Sequence, residues 1–471
     1  MDTIWQPELV EGQGAKYKGV VASIKNGIQI GALVPGAKLP PVRDLAWTLG
    51  ITPGTVARAY SILTESGVLK AEVGRGTFVS EGTPLVLAEK PIEIDAVTHG
   101  TWQLADDGTV SMFSPHLPAV GQNTLIRQLL ADVAQNPPSG MMHYPNRNNA
   151  RPAREAVTRW LAGTPLGAFS ESDIVLSHGG QNGLQLIFQT ILHGRKPTIL
   201  IEELAYPGFR RAAELLRAEI VPVAMDADGV IPDALEAAAR AHDAQIFCTS
   251  PEVHNPTGGY TPLARREDLV AVARRHDLQI VEDDCYRMRV ERAPTYRMLA
   301  AERGWYVSSL AKTVTPALRI GYAIAPQGKT PSLRKVAEYN CFGLATPMLD
   351  LCAALLAHPD IDTYAEAART TFNTYIHSAV NILGGYDVSW RKGVPFLWLQ
   401  LPLGWRAGAF CQACEACGVQ IRSAEEFVCR DAKAPHAVRL AINAGVPLER
   451  FEAAIMRLRD LLDHPPEQIS V

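Results

Sequence analysis

Five short clusters carry groups that could act on one ligand. Lys312 lies in Ser308-Ser309-Leu310-Ala311-Lys312-Thr313-Val314, among small, uncharged side chains. Withdrawing a lysine from water disfavours its ammonium form and frees the amine to attack an aldehyde. Ser309 and Arg319, close by in sequence, suit a phosphate dianion. Asp283, in Glu282-Asp283-Asp284-Cys285-Tyr286, could pair with the nitrogen of an aromatic heterocycle and keep it protonated. Tyr286 could then reach a phenolic oxygen on that ring, and Asn255, in Asn255-Pro256-Thr257-Gly258, could turn its amide to the same oxygen. Tyr206, in Tyr206-Pro207-Gly208-Phe209, could stack on the ring. Ser177-His178-Gly179-Gly180-Gln181-Asn182 offers glycines and helix N-terminal amides to a phosphate. Each cluster also has an ordinary reading: a surface lysine, a solvated acidic loop, a tight turn, a half-buried tyrosine, a glycine-rich turn. Their order and spacing along the chain join them.

The elements that must position these groups are legible as alternation. Short apolar runs (Ile174–Leu176, Thr198–Ile201, Ile220–Val223, Ile246–Thr249, Gln279–Val281) alternate with helical patterns (Asn182–Leu192, Tyr206–Leu216, Ile231–His242, Arg265–Arg275). Alternation of this kind predicts an α/β domain with a doubly wound, mainly parallel sheet. Such sheets bind ligands beyond the C-terminal ends of their strands, and the clusters fall there.

The first 80 residues follow a different rhythm. Tyr17, Val20, Ile24 and Ile28 share one helical face, and Gly31 ends it. Pro41 opens a second helix that runs to about Gly50. Thr52-Pro53 starts a third helix, through Val56, Tyr60 and Leu63, ended by Gly67. Two short strands, Val68–Ala71 and Thr77–Val79, flank Gly74-Arg75-Gly76. Two helices about a turn followed by a hairpin can set one helix in a DNA major groove with a wing beside it. Arg43, Thr55, Arg58 and Arg75 are the candidate phosphate or base contacts. A small helical domain without a DNA role has the same order of elements. Residues 81–110 follow as a linker, and 111–471 form the second domain.

Composition bounds the rest. The chain has 471 residues, 47% hydrophobic and 20% charged, enough to bury a sizeable core. Its net charge is -4. Residues 1–80 hold eight Lys/Arg against six Asp/Glu, a bias too slight to reveal a DNA binder alone. No apolar run is long enough to span a membrane, and the first residues lack a signal-peptide pattern, so a cytoplasmic location with no membrane contact is expected. Cys411, Cys414 and Cys417 are spaced by three, but no second ligand pair follows, so they read as one helix face and no metal is expected.

Two resemblances rest on these motifs. Residues 15–80 resemble the GntR-type winged-helix domain through LPPVRDLA, TVARAY, the spacing to Gly67, and GRGTFV. The chain departs from it at Pro53-Gly54, where that family usually has an arginine early in the recognition helix. Residues 110–465 resemble the fold type I aminotransferases that use pyridoxal 5'-phosphate (PLP), in particular the kynurenine/α-aminoadipate group. That resemblance implies a mainly parallel large domain and a smaller α+β C-terminal domain. It implies that Lys312 holds PLP as a Schiff base and Asp283 pairs with the ring nitrogen. Asn255 and Tyr286 would contact the ring O3', and Tyr206 would stack on the ring. Gly180, Gln181, Ser309 and Arg319 would take the phosphate. Tyr144 matches a tyrosine that reaches the phosphate of the neighbouring subunit, and Arg439 matches the arginine that takes a substrate carboxylate. Leu204, Asn149 and Ala311 stand where the family commonly has proline, glycine and serine.

Joined in one chain, the two halves resemble the MocR subfamily of bacterial transcription regulators. This implies a homodimer that binds double-stranded promoter DNA and senses PLP, or an amine or amino acid that exchanges at Lys312. An active aminotransferase with a vestigial reader, and a repressor whose PLP site binds nothing, are the alternatives.

Overall fold

The computed structural model describes residues 16–65, 67–72, 75–80, 108–286, 293–429 and 432–465. The expected linker lies outside these residues as far as 107. The chain divides into two units, Met1–Thr98 and His99–Val471.

In the first unit, helices Lys16–Gln29, Val42–Thr48 and Pro53–Glu65 precede an antiparallel hairpin of Leu69–Glu72 and Gly76–Val79. Val20, Ile24, Leu45, Val56, Leu63 and Val79 meet in its core. The apolar face expected from 17–30 is therefore the face that packs. The Tyr60 hydroxyl donates to the Pro40 carbonyl at 2.8 Å and ties the third helix to the start of the second.

The second unit is built on a seven-stranded sheet. Its strands run, edge to edge, 174–177, 321–324, 304–309, 279–283, 246–249, 198–202 and 219–223. Strand 321–324 is antiparallel to both neighbours. The other pairings are parallel. The runs Ile174–Ser177, Thr198–Glu202 and Ile246–Thr249 are buried throughout. A sheet covered by helices on both faces requires such continuous apolar strands rather than alternation. Strand ends Ser177, Glu202, Thr249, Asp283 and Ser309 lead directly into the loops that carry the motifs.

A smaller antiparallel sheet follows, in the order 388–389, 396–400, 437–441, 422–423. Helices 361–383, 407–416 and 448–463 bury its apolar side through Phe372, Ile376, Phe410, Phe451 and Leu458. Val110, the last residue of the expected linker, and Ser111 form a strand parallel to Val419–Gln420, with Val110 fully buried. Cys411 and Cys414 lie on the helix Ala407–Ala416, and Cys417 caps it. Among the described residues, no helix is long and apolar enough to cross a membrane.

Candidate functional site

The floor of the site is where the helix Gly179–Ile191 meets the loop after strand 304–309. Gly179 has φ 81, a left-handed conformation that a side chain resists, and it opens this helix. A Cβ at Gly179 would lie 2.6 Å from an Arg319 guanidinium nitrogen. One at Gly180 would lie 2.6 Å from Cys285 Sγ and 3.9 Å from Ser309 Oγ. Gly179, Gly180, Ser309 and Arg319 thus converge around the free amides of a helix N-terminus, the place where an anion is favoured. Gln181 is adjacent, but its side chain turns aside and donates to the Gly208 carbonyl at 2.8 Å. Its Oε1 has no hydrogen-bond partner among the described residues.

Beside the floor, Asp283 ends its strand. Burial pushes its carboxyl up from the usual range, and hydrogen bonds from Cys285, including its amide at 3.0 Å, pull it back. The Tyr206 ring meets Phe209 edge-on at 5.8 Å, and burial, with Asp283 nearby, raises its phenol to about 12. Tyr286 packs edge-on against Phe396 at 5.2 Å. Lys312 follows on a single 3-10 turn, its Nζ 5.7 Å from the centre of the Tyr286 ring. Desolvation, reinforced by Arg439 and Arg319 and opposed by Cys285, lowers the Lys312 ammonium to about 8. Charged groups as well as the small ones expected from sequence surround it.

The rim comes from the smaller sheet. Arg439 is buried in strand 437–441. It donates to Asn255 Oδ1 at 2.7 Å and to the Phe113 carbonyl. Asn255 Nδ2 and Arg439 Nε have no hydrogen-bond partner among the described residues. Buried donors are rarely left so, because each costs about 1–3 kcal/mol.

Three side chains of this site escaped the sequence reading. Ser114 Oγ accepts from Lys312 Nζ at 2.9 Å, across 198 positions of chain. Arg422, the register partner of Arg439, donates through Nε to the same Phe113 carbonyl at 3.0 Å. His254, just before Asn255, is buried between two loops. Its Nε2 faces two acceptors, the Leu204 carbonyl at 2.7 Å and Glu202 Oε2 at 3.5 Å, so Nε2 carries the proton. The Thr257 hydroxyl is then left to donate to Nδ1, at 2.7 Å. His254 therefore staples the loop of Tyr206 to the turn of Asn255. Only the position of His254 beside a recognised motif could have pointed to it.

Tyr144 is not brought to this site. It is 81% exposed and lies 5.8 Å from the Phe342 ring. Asn149 accepts from the Asn146 amide at 2.7 Å and donates to the Tyr144 carbonyl at 3.3 Å, closing the loop that presents it.

In the first unit, Arg43 is exposed on the second helix and Thr55 is half-buried on the third. The Arg58 guanidinium lies over the Tyr17 ring at 4.4 Å, and Arg75 pairs with Glu72 at 3.7 Å. Trp47, which the motifs did not single out, is 90% exposed.

Comparison with known proteins adds three findings. Residues 119–458 match the family model "Aminotransferase class I and II", and residues 16–79 match "Bacterial regulatory proteins, gntR family". Among curated relatives, an uncharacterized HTH-type transcriptional regulator, YdeF, of Bacillus subtilis is 27% identical over 98% of this chain and 97% of its own. The HTH-type pyridoxine biosynthesis transcriptional regulator PdxR of Corynebacterium glutamicum is 29% identical over 67% of this chain and 66% of its own. Among solved structures, the α-aminoadipate aminotransferase LysN of Thermus thermophilus superposes with a TM-score of 0.67 at 22% identity, over 76% of this chain and 92% of its own.

Proposed function

The chain belongs to the aminotransferase class I and II family, and from that premise we propose that it is a PLP-dependent transcription regulator. In this reading residues 16–80 bind promoter DNA, and the site around Lys312 senses PLP or an amino compound. The carrying observation is a depressed lysine beside a ready-made anion cradle, in the same chain as a gntR-type reader. That pairing is the MocR arrangement. Two relatives that match nearly the whole chain are named as regulators rather than enzymes.

The residues present fit PLP. The Gly179–Gly180 cradle with Ser309 and Arg319 suits a phosphate, and the unpartnered Asn255 Nδ2 is a donor awaiting an acceptor. When bound, PLP supplies an aldehyde for condensation with a primary amine and a pyridine ring that withdraws electrons. Lys312, half neutral near pH 8, provides the amine. Asp283 would hold a proton on the ring nitrogen. Tyr206 would bound one face of the ring, and Tyr286 and Asn255 would approach its oxygen. Arg439 would receive a carboxylate as a bidentate pair.

Two further parts of the reading follow. Tyr144, exposed and closed into its own loop, would serve the phosphate of a second copy, so the protein acts as a homodimer. A dimer also suits a winged helix that reads two half-sites, with Arg43, Thr55, Arg58 and Arg75 toward DNA. A regulator of this kind works in the cytoplasm, where the promoter is.

The test uses the purified chain, PLP and promoter DNA. A visible absorbance band should appear with PLP and be lost in Lys312→Ala. The wild type should retard its own promoter, and an effector amine should change that retardation. A colourless wild type that ignores its promoter overturns the proposal. Steady transamination at roughly 1 per second or faster would instead favour an enzyme.

A further inference from the structure

Helix Val42–Thr48 turns Leu45 and Ala46 into the core of the first unit and leaves Arg43, Asp44, Trp47 and Thr48 exposed. Arg43 and Trp47 stand one turn apart on a single edge of that exposed face. Asp44 and Thr48 form the other edge, roughly 100° round the helix. The Thr48 hydroxyl is turned back onto the Asp44 carbonyl at 2.9 Å. Helical side chains lean toward the N-terminus, so Trp47 leans toward the turn that carries Arg43. Trp47 is 90% exposed, the largest side chain left so open among the described residues. Tryptophan is highly covered on average in folded proteins, and it is enriched at interfaces where its N–H finds an acceptor.

The next helix indicates what meets it. Pro53–Glu65 follows in the order of a helix-turn-helix, in which the second helix enters the major groove and the first crosses the backbone. The start of this helix presents no long side chain. Thr52, Pro53 and Gly54 are exposed, and nothing lies within 4 Å of a Cβ built at Gly54. The Thr52 and Thr55 hydroxyls pair with each other at 2.9 Å. Such an end can sit deep in a groove but contributes few contacts of its own. Arg58 is drawn over the Tyr17 ring, and Arg75 is paired with Glu72. Much of the hold on a duplex therefore falls to the preceding helix, whose edge carries one cation and one aromatic ring. A sugar–phosphate backbone matches both. It offers phosphate oxygens to the guanidinium and the indole N–H, and the apolar face of a sugar to the ring.

We propose that Trp47 is a DNA-backbone contact, laid against the sugar–phosphate strand beside Arg43, that anchors the helix-turn-helix without reading sequence. The proposal rests on the reading of residues 16–80 as a DNA reader and adds a residue and a mode of contact to it. A backbone contact acts alike on every duplex. The indole carries no charge, so it displaces no counterion and leaves the salt dependence of binding as it was.

The experiment uses the full-length protein with PLP, its own promoter duplex and a scrambled duplex of equal length. Trp47→Ala should weaken binding to both duplexes by about fivefold, with the slope of affinity against salt unchanged. Arg43→Ala should instead lower that slope by about one. Trp47→Phe keeps a ring without the N–H and should lose about twofold. Thr48→Ala, on the other edge of the same helix, is the control and should bind as the wild type does. Subtracting the emission of Trp47→Phe from that of the wild type isolates the fluorescence of Trp47, which should shift when either duplex is added. Trp47→Ala binding as tightly as the wild type overturns the proposal, and so does a Trp47 emission that DNA leaves unchanged. A loss confined to the promoter duplex overturns it too, because Trp47 would then be reading bases. In these three cases wild-type binding still upholds the DNA reader. A wild type that retards neither duplex overturns that reading itself, and the proposal falls with it.

Discussion

On the floor of the site, Gly321 packs against Gly179 so closely that a Cβ would lie 2.4 Å from the Gly179 carbonyl carbon. At the rim, Arg439 and Lys312 are joined to Phe113 and Ser114 through one carbonyl and one hydroxyl. The floor is backbone against backbone, with Arg319 held at φ 52, a conformation costing a non-glycine residue about 1 kcal/mol or more. Such contacts have no second partner to turn to. Each rim bond is worth about 1 kcal/mol net and can be exchanged for a ligand's. The floor is thus shaped in advance, and the rim is the half whose bonds can be exchanged.

The comparison breaks first if the floor tolerates crowding. Gly321→Ala forces apart two backbones that neither strand nor helix can move, and should cost about 3 kcal/mol of stability with loss of PLP binding. Gly408→Ala, where nothing lies within 4 Å of the new Cβ, is the control and should be close to neutral. Urea denaturation of both checks this. A Gly321→Ala protein as stable as the control means the floor is as adaptable as the rim.

His254 locates the boundary between the two halves. It joins the Leu204 carbonyl to the Asn255 turn, and Leu204 in turn bridges to Val428, next to the rim. His254→Leu leaves the Leu204 carbonyl and the Thr257 hydroxyl short of a partner and should cost about 2 kcal/mol. His254→Gln retains an N–H donor and should recover part of that. If His254 positions the ring contacts, PLP affinity falls more in the leucine variant than stability alone explains, with a shifted visible band. Equal bands and affinities in both variants reduce His254 to a packing residue.

The same division explains what the sequence made legible. The floor residues are short-range words: Gly179-Gly180, Ser309 with Lys312, Arg319 before Gly321, each at a strand end that alternation locates. Alternation predicted the mainly parallel sheet, and those words lie in the loops after its strands. The rim has no such signature. Phe113 acts through its carbonyl, which every residue has, and its partner Arg439 is 326 positions away. Ser114 gains meaning only when the fold brings it to Lys312. Leu204 was noted for the proline it replaces, whereas its role here is again a carbonyl. Tyr144 was legible as a residue but not as a neighbour, because no group of its own chain's cradle meets it.

The smallest effect tests whether the rim acts on the floor through Lys312. Its ammonium titrates near 8 in the folded protein against an ordinary 10.5. Between those values the unfolded chain keeps a proton that the folded chain has released. The unfolded state then binds more protons, so the stability of the PLP-free protein rises with pH across that window. Below pH 8 both states are protonated and the penalty of the confined charge is fully present. Lys312→Met should be insensitive to pH over the same range, apart from the background of other groups. Denaturation of both proteins at pH 7.5 and 9.5, values about either side of the folded midpoint, measures the difference. A flat difference would mean that the amine is not depressed. The Ser114 hydroxyl accepts from the amine and so favours its charged form, against Arg439 and Arg319. Ser114→Ala should therefore move the Lys312 midpoint further down and make PLP uptake faster at pH 7. A midpoint that stays in place would mean that the Ser114 hydroxyl does not act on the lysine.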